Sequence, residues 1–226
     1  MGSVIPASFR KAASLYRVEL VSRRWLSESV FEVTFRRPAP FSFAPGQRIQ
    51  LVREEINREY SLVSIPRDDT ITLCVRLVKG GKFSSALSTA GDGEAFNFRG
   101  PLGYFVFVPS PRRAVFVATG TGIAPFVSMS RSGVRDFTLL HGVPEAAELY
   151  YKELFESIHC EYIPCLSKAT GGENRFAGRV TDYLSRMMPR IPYDFYLCGR
   201  GDMVRDATRI ADERFSGSLV YTETFY

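Results

Sequence analysis

The alternation of hydrophobic and polar positions divides the chain into two halves. Up to about residue 108, short runs rich in β-branched and aromatic residues alternate in polarity, as half-buried strands do. Pro-Gly and Gly-Asp-Gly turns separate these runs, a pattern typical of a small antiparallel barrel. The runs lie at residues 17–25, 30–37, 47–52, 58–64, 70–78 and 94–100, and one predicted helix, at residues 83–90, interrupts them.

Beyond a Pro-rich linker at residues 109–113, the pattern changes to alternating strands and helices. Apolar runs suited to buried parallel strands lie at residues 114–118, 137–141, 160–166, 195–198 and 219–221. Helical stretches lie at residues 125–131, 145–157, 180–188 and 203–215. In the second of these, Glu148 and Lys152 are spaced for an i,i+4 ion pair.

These patterns predict two domains. The first is an N-terminal antiparallel β-barrel at residues 1–108. The second, at residues 109–226, is an α/β nucleotide-binding domain with a five-stranded parallel sheet.

Composition and charge narrow the class of protein. The 226 residues carry a formal net charge of +5, with the basic residues scattered in short pairs. A solvated basic surface and a surface that steers an acidic partner both fit this distribution. Nucleic-acid binding is not indicated, because no basic helix or known module occurs. No apolar run approaches the roughly 18 residues of a membrane span. We therefore expect a protein that does not cross a membrane. We also expect it to be a monomer.

The four cysteines lack the CxxC spacing of an iron–sulfur cluster or a zinc site, so no metal is expected. The two histidines are too few for most metal sites, and we interpret both as structural. The first residues, MGSVIPASFRK, lack the apolar stretch of a secretory signal. The expected location is therefore the cytoplasm, with reduced thiols.

The stretch VATGTGIAPF follows the first apolar run of the second half. Gly120 and Gly122 allow the backbone to approach a pyrophosphate, and Pro125 suits the first turn of the helix that follows. The third glycine of the usual dinucleotide fingerprint is missing, and so is an acidic residue after the next strand. Taken alone, the stretch is also compatible with an ordinary strand–turn–helix connection.

Two further motifs in the first half favour a cofactor site. Arg58-Glu-Tyr-Ser61 places a cation, an aromatic ring and a hydroxyl group on one strand, with Arg58 and Tyr60 on the same face. The stretch GGKFSS (80–85) opens the single helix of this half and offers a second site for an anion. Each motif alone is an ordinary strand or turn, but all three in this order indicate binding of a phosphate-containing cofactor.

The chain resembles the ferredoxin–NADP reductase superfamily over nearly its full length. The motifs that carry the resemblance are REYS (58–61), GGKFSS (80–85), GPLGYF (100–105), ATGTGIAPF (118–126), LHGVPEAAELYYKELFE (140–156), YLCGRGDMV (196–204) and an aromatic C-terminus, TETFY. The resemblance implies a flavin in the barrel domain and a nicotinamide coenzyme in the second domain. It also implies that Gly-x-Gly-x-x-Pro is complete in itself and has lost no glycine.

The resemblance assigns the flavin site to the barrel. Arg58 would bind flavin phosphate, Tyr60 would pack on the isoalloxazine ring and Ser61 would lie near its N5 atom. Main-chain donors of a second motif would hold the pyrophosphate, which favours FAD over FMN: Gly81, Lys82, Phe83 and Ser84. Thr121, with Gly120 and Gly122, would lie against the nicotinamide nucleotide.

The reaction implied is hydride transfer from nicotinamide to flavin N5, followed by one-electron transfer from the flavin. Cys198 is expected to position the nicotinamide, although a buried apolar thiol is the ordinary role of such a cysteine. Glu223 would complete the polar set near N5. Tyr226 is the third residue after Glu223, whereas in plant-type members the terminal Tyr is the second residue after the acid, so either Phe225 or Tyr226 would cover the flavin and act as a gate.

The coenzyme predicted is NADPH, with NADH as the alternative. Ser167-Lys168 lies where many NADP-using members have Ser-Arg, and Arg179 follows Gly178. Pro144 argues the other way, because bacterial members often have Arg there, whereas plant-type members share Gly-Val-Pro. Lys168 and Arg179 also fit ordinary surface charges.

The leading functional hypothesis is an NAD(P)H-dependent flavin reductase that exchanges electrons with a separate acidic carrier such as ferredoxin or flavodoxin. One alternative is the reductase component of an oxygenase, or a free-flavin reductase, using NADH. A second is a non-catalytic electron-transfer or regulatory subunit on the same fold.

Overall fold

A computed structural model describes residues 14–53, 56–168 and 175–225. The first half contains six strands and one helix: β1 (Ser14–Trp25), β2 (Val30–Arg36), β3 (Arg48–Arg53), β4 (Ile56–Ser61), β5 (Thr70–Arg76), α1 (Lys82–Thr89) and β6 (Ala95–Leu102). All six strands predicted from the alternation of polarity are present. The prediction of an antiparallel N-terminal domain is therefore confirmed.

The six strands form one antiparallel sheet in the order β4-β3-β6-β1-β2-β5. An isolated bridge between Leu62, just after β4, and Leu73 of β5 brings the two edges of the sheet together. The interior is filled by aliphatic and aromatic side chains that are fully or almost fully buried, among them Phe31, Phe35, Ile49 and Phe98. The sheet therefore curls into a barrel around its own core.

The second half contains β7 (Arg113–Thr119), α2 (Ala124–Arg131), β8 (Thr138–Val143), α3 (Lys152–Ser157), β9 (Glu161–Leu166), β10 (Phe176–Ala177), α4 (Val180–Arg186), β11 (Tyr193–Arg200), α5 (Gly201–Arg214) and β12 (Leu219–Phe225). Its parallel sheet has the order β10-β9-β8-β7-β11-β12. The chain switches direction across the sheet between β7 and β11, where an open α/β fold binds its ligands.

The parallel sheet has six strands, whereas the sequence predicted five. The additional strand, β10, is only two residues long and pairs with Cys165 and Leu166 of β9. A strand of this length has no periodicity that a sequence pattern can reveal. The prediction of an α/β domain is confirmed, and its strand count is corrected.

The predicted helix at residues 145–157 is two separate segments. A 3-10 turn, Ala146–Glu148, precedes α3, and Tyr151 between them has a left-handed backbone with φ 63°. The predicted Glu148–Lys152 pair is therefore wrong. Glu148 instead pairs with Arg76 of the barrel at 3.0 Å, and Lys152 pairs with Glu156 at 3.4 Å.

The two halves pack directly against each other through α2. Its residues Phe126 and Met129 share a buried cluster with Val63, Cys74 and Phe105 of the first half. At the polar edge of this contact, the Ser128 hydroxyl donates to the Ser64 carbonyl at 2.7 Å, and Arg131 pairs with Asp68 at 3.2 Å.

In the described part of the chain, no helix combines the length and apolarity needed to cross a bilayer.

Candidate functional site

A cavity of about 1040 Å³ lies between the two halves. Its walls come from β4, the turn before α1 and α1 itself on the barrel side, and from the carboxyl ends of β7, β8 and β11 on the other. This volume is at the upper end of the range for small-molecule sites. Its position matches the crevice expected at the switch point of the parallel sheet.

On the barrel side, every residue that the sequence assigned to the flavin site lines this cavity. These residues are Arg58, Tyr60, Ser61, Gly81, Lys82, Phe83 and Ser84. The hydroxyl group of Ser84 already has one hydrogen-bond partner, because it accepts from the Val78 amide at 3.0 Å. The turn and α1 are thereby fixed as one wall.

Ser61 has the most informative surroundings of this set. The residue is 2% exposed, and its hydroxyl group finds no hydrogen-bond partner among the described residues. A buried hydroxyl group without a partner costs free energy, on the order of 1–3 kcal/mol. Because Ser61 lines the cavity, a ligand with a polar atom at this wall would satisfy it.

Tyr60 presents a flat, half-buried ring to the same space. Its ring lies 6.5 Å from that of Phe83, tilted by 42°. Burial raises the pKa of the Tyr60 phenol to about 12, so the group stays neutral, and Arg58 opposes only part of this shift. A neutral aromatic ring beside a cation suits a ligand that combines a flat ring with a phosphate.

The start of α1 provides anion-binding groups. The helix has no acidic residue in its first turn, and Gly81 before it makes no side-chain cap, so the first amide groups point outward without a competing carboxylate. Within the described residues, neither Lys82 nor Arg58 forms an ion pair. Both charges are therefore available to a phosphate.

On the α/β side, the cavity is lined by the turn after β7 and by the ends of later strands. The predicted residues found here are Gly120, Thr121, Ser167, Arg179 and Phe225. Arg179 immediately precedes α4, and its amide donates to the Asp182 carboxylate at 2.9 Å. This bond fixes the backbone at Arg179, which lines the cavity.

Close backbone approach explains the glycines of this turn. A Cβ atom on Gly122 would overlap the carbonyl group of Cys198, and one on Gly199 would overlap Thr119. Gly120 also has a left-handed backbone, with φ 55°. Residues without a side chain therefore let β7 and β11 approach each other at the switch point.

A buried histidine contacts the same turn at the Gly120 carbonyl group. His141 is fully buried, with Nδ1 3.1 Å from the Tyr162 hydroxyl group and Nε2 3.4 Å from the Gly120 carbonyl oxygen. Burial lowers the pKa of His141 to about 4, so the ring is neutral. A neutral ring that donates from Nε2 and accepts at Nδ1 satisfies both contacts. Through these contacts His141 joins the Gly120 turn to Tyr162.

Five predicted site residues do not line the cavity in the described part of the chain: Gly122, Pro125, Lys168, Cys198 and Glu223. Pro125 lies in the first turn of α2, as expected. Lys168 is exposed and lies 3.6 Å from Glu145. Tyr226 is outside the described residues, whereas Phe225 is half-buried at the cavity wall.

Cys198 and Glu223 are neighbours behind the cavity, paired in register between β11 and β12. Burial raises the pKa of the Cys198 thiol well above its ordinary value, and the nearby Glu223 adds to the shift. A thiol that stays protonated is a poor nucleophile. Burial also raises the pKa of Glu223, and Arg48, which contacts its carboxylate at 2.6 Å, opposes this rise.

Three arginines at or beside the cavity were not predicted from the sequence. Arg76 and Arg200 line the cavity, and Arg48 reaches Glu223 from the barrel. Arg200 pairs with Asp202 at 2.6 Å. Arg76 shares a face of β5 with Cys74, and both line the cavity, but only the structure shows which face this is. No sequence signal indicated Arg48, because its partner is 175 residues away.

These features fit a flavin dinucleotide on the barrel side and a nicotinamide dinucleotide on the other. The barrel wall offers a flat ring, an unpartnered hydroxyl group and unpaired cations, and the opposite wall offers a glycine turn. Among the described residues, no group of three or more His, Cys, Asp or Glu side chains is placed to hold a metal ion.

Comparison with known proteins agrees with this division. The oxidoreductase FAD-binding domain family matches residues 17–107, and the oxidoreductase NAD-binding domain family matches residues 116–209. The chain thus joins an FAD-binding domain to an NAD-binding domain, and it belongs to the ferredoxin–NADP reductase superfamily.

Among curated proteins, the chain is 31% identical over 220 residues to the xylene/toluene monooxygenase electron transfer component XylA of Pseudomonas putida, covering 89% of this chain and 63% of that protein. It is 33% identical over 159 residues to ferredoxin–NADP reductase B of Sorangium cellulosum, covering 65% of each. The chain therefore spans less than two thirds of the length of either relative.

Among solved structures, the cytochrome P450 reductase GcoB of Amycolatopsis superposes with a TM-score of 0.84 at 25% identity. The match covers 96% of this chain and 72% of that protein.

Proposed function

We propose that this protein is a flavin-dependent NAD(P)H oxidoreductase. It transfers hydride between NADPH and FAD, and it passes single electrons to or from a separate carrier protein. The observation that carries the proposal is one shared cavity, in which the unpartnered hydroxyl of Ser61 on the barrel and the turn at Gly120 and Thr121 form opposite walls. Hydride transfer needs two cofactors held face to face at about 3–3.5 Å, and a cavity between two nucleotide-binding domains provides that arrangement.

In this proposal the protein binds and positions, and the bound flavin supplies the redox chemistry. Arg58 and Lys82 bind phosphate groups, and the first amides of α1 donate to the same anion. Tyr60 supports a flat ring, and the Ser61 hydroxyl group holds a polar atom at its edge. Cys198 lies behind the cavity as a neutral thiol and does not attack the nicotinamide.

The coenzyme proposed is NADPH, and Arg179 is the residue proposed to select it. Arg179 lines the cavity and forms no ion pair within the described residues, so it can contact a 2′-phosphate. Lys168 is a weaker candidate, because it lies outside the cavity wall and near Glu145. The sequence did not distinguish Arg179 from Lys168 as a candidate for the 2′-phosphate, but the surroundings of the two residues differ.

Steady-state kinetics with both coenzymes tests this assignment. Arg179→Ala is expected to raise KM for NADPH about tenfold and to leave KM for NADH nearly unchanged, because only NADPH carries the extra phosphate. Lys168→Ala, the matched control, is expected to change both constants by less than about twofold. Equal effects of Arg179→Ala on NADPH and NADH would refute the assignment.

The electron partner proposed is an acidic protein such as ferredoxin or flavodoxin. The net charge of +5 supports this proposal, as does the name of the Sorangium relative, a ferredoxin–NADP reductase. We propose a monomer in the cytoplasm, where the four free cysteines stay reduced.

A second candidate function is the reductase component of an oxygenase. The similarity to the electron transfer component of a monooxygenase specifically favours it. Rates of electron transfer to ferredoxin, to an oxygenase component and to free flavin, measured at equal coenzyme concentration, separate the two functions. The function is assigned to the acceptor with the highest kcat/KM.

The decisive experiment for the oxidoreductase itself is an anaerobic titration of the purified protein with NADPH, followed by visible absorption. A yellow protein whose flavin band bleaches on titration is the expected result. A colourless protein, or a band that neither NADPH nor NADH changes, would favour the non-catalytic subunit instead.

A further inference from the structure

An ion pair with a buried carboxylate joins the two halves beside the cavity. Nη1 of Arg48 in β3 lies 2.6 Å from one carboxylate oxygen of Glu223 in β12 and 2.7 Å from the other. Nε of the same arginine donates to Glu59 of β4 at 2.6 Å. The Glu223 side chain is 9% exposed. Removing Arg48 would leave Glu223 as an uncompensated buried charge, so the contact is strongly held.

The position of this pair links the candidate site residues of both halves. Arg48 lies directly opposite Ser61 in the pairing of β3 with β4, and Glu223 lies beside Cys198 in the pairing of β12 with β11. Phe225 is two residues beyond Glu223 and lines the cavity. Because Glu223 and Phe225 are separated by one strand repeat, a contact that fixes Glu223 also limits the movement of Phe225.

Gly103 leaves space for the arginine. A Cβ atom on Gly103 would lie 2.5 Å from Nη1 of Arg48 and 3.5 Å from a carboxylate oxygen of Glu223, and the backbone there has φ 85°. The neighbouring Gln47 is buried and donates from Nε2 to the Gly103 carbonyl at 3.0 Å. The second glycine of GPLGYF therefore accommodates the guanidinium group where it meets β12.

We propose that Arg48 is a positioning residue that anchors the end of β12 to the barrel and thereby holds Phe225 in the cavity. The inference rests on the proposed function, because it takes the nicotinamide coenzyme as the ligand that competes with Phe225. A ring that occupies part of the cavity must move before a nicotinamide ring can stack there. An anchor two residues away raises the cost of that movement and weakens coenzyme binding.

The test compares Arg48→Met and Arg48→Lys with the wild-type full chain. Hydrogen exchange reports the mobility of β12, and titration with NADP⁺ gives the dissociation constant. In Arg48→Met, the amides of residues 222–225 are expected to exchange at least about tenfold faster, and Kd for NADP⁺ is expected to fall about fivefold. Lysine keeps the charge, so Arg48→Lys is expected to restore most of both values. Glu223→Gln is expected to behave like Arg48→Met.

A second ion pair between the halves provides the control. Arg131 of α2 contacts Asp68 at 3.2 Å, and neither residue lines the cavity. Arg131→Met is expected to lower thermal stability slightly, without changing β12 exchange or Kd. The inference is overturned if Arg48→Met keeps wild-type exchange and Kd, or if Arg131→Met reproduces its effects. If the wild type binds neither NADP⁺ nor NAD⁺, the proposed function fails, while the exchange comparison still decides whether Arg48 anchors β12.

Discussion

Ser61 and Ser130 provide a matched pair of buried hydroxyl groups. Both serines are buried, and neither hydroxyl group has a partner among the described residues. Only Ser61 lines the cavity, whereas Ser130 lies within α2. The free-energy cost of a buried hydroxyl group without a partner is therefore similar at the two positions. Only at Ser61 can a ligand in the cavity offset this cost.

Removing each hydroxyl group separates these roles. Ser61→Ala is expected to slow reduction by NADPH about tenfold to hundredfold, because a group that orients the reacting atoms is lost. Neither Ser61→Ala nor Ser130→Ala is expected to destabilise the fold by more than about 0.5 kcal/mol, because no hydrogen bond is broken. Stopped-flow reduction and urea unfolding measure the two effects. A similar loss of rate in Ser130→Ala would contradict the assignment.

His141 makes stability depend on pH in a defined window. Its pKa in the folded state is about 4, against 6.5 for the ordinary group. Above pH 6.5 neither state is protonated, and no stability is lost. As the pH falls from 6.5 to 4, only the unfolded chain takes up this proton, which lowers the free energy of unfolding by about 3 kcal/mol.

Urea unfolding at pH 7.5 and at pH 4 measures this contribution. In His141→Gln, the loss of unfolding free energy between the two pH values is expected to be smaller than in the wild type, since glutamine does not titrate. His159→Gln removes a histidine whose side chain is 87% exposed and should change little. An unaltered pH dependence in His141→Gln would rule out the buried neutral histidine.

At the scale of elements, the periodic pattern predicted the strands well and the helices less well. Most half-buried strands of the barrel alternate in polarity, with β4 as an exception, and the buried parallel strands are mostly apolar. The stretch 145–157 satisfied a helical pattern but is interrupted at Tyr151, whose hydroxyl group donates to Glu32 of the barrel at 2.9 Å. A tertiary contact of this kind outweighs helical propensity, which amounts to only tenths of a kcal/mol per residue.

The turn between β7 and α2 shows how two elements constrain one residue. Gly122→Ala would place a methyl group on the carbonyl of Cys198, and the backbone of β11 has no room to move away. The expected result is at least about a tenfold loss of NADP⁺ affinity, with the flavin still bound by the barrel. Isothermal titration and the visible spectrum measure the two effects.

Gly91→Ala is the control for this substitution. Among the described residues, no atom outside the adjacent chain lies within 4 Å of a Cβ at Gly91, and its backbone is not left-handed. Its coenzyme affinity should equal that of the wild type. If Gly122→Ala also binds NADP⁺ normally, the turn is not the coenzyme site.

At the scale of the whole molecule, charge governs association with a carrier. A net charge of +5 attracts an acidic protein at long range, and salt screens this attraction beyond about 10 Å at 0.1 M. With saturating NADPH, kcat/KM for an acidic ferredoxin is expected to fall several-fold between low salt and 0.3 M salt. The rate with a neutral quinone acceptor should stay nearly constant. Equal salt dependence for the two acceptors would argue against electrostatic steering.

The sequence by itself determined the two-part architecture, the cofactor motifs and the superfamily. These features depend on contiguous residues: strand periodicity, glycine turns, and short runs such as REYS and GGKFSS. The order of these motifs along the chain also indicated binding of a phosphate-containing cofactor.

Only the tertiary structure decided which of the predicted residues share the cavity. The sequence made Arg179 and Lys168 equal candidates for the coenzyme site. Arg179 lines the cavity wall, whereas Lys168 lies near Glu145. Glu223 was expected beside the flavin, and the structure places its carboxylate on Arg48. These contacts join residues from different halves of the chain. Their positions follow from the packing of one domain against the other, which no local pattern records.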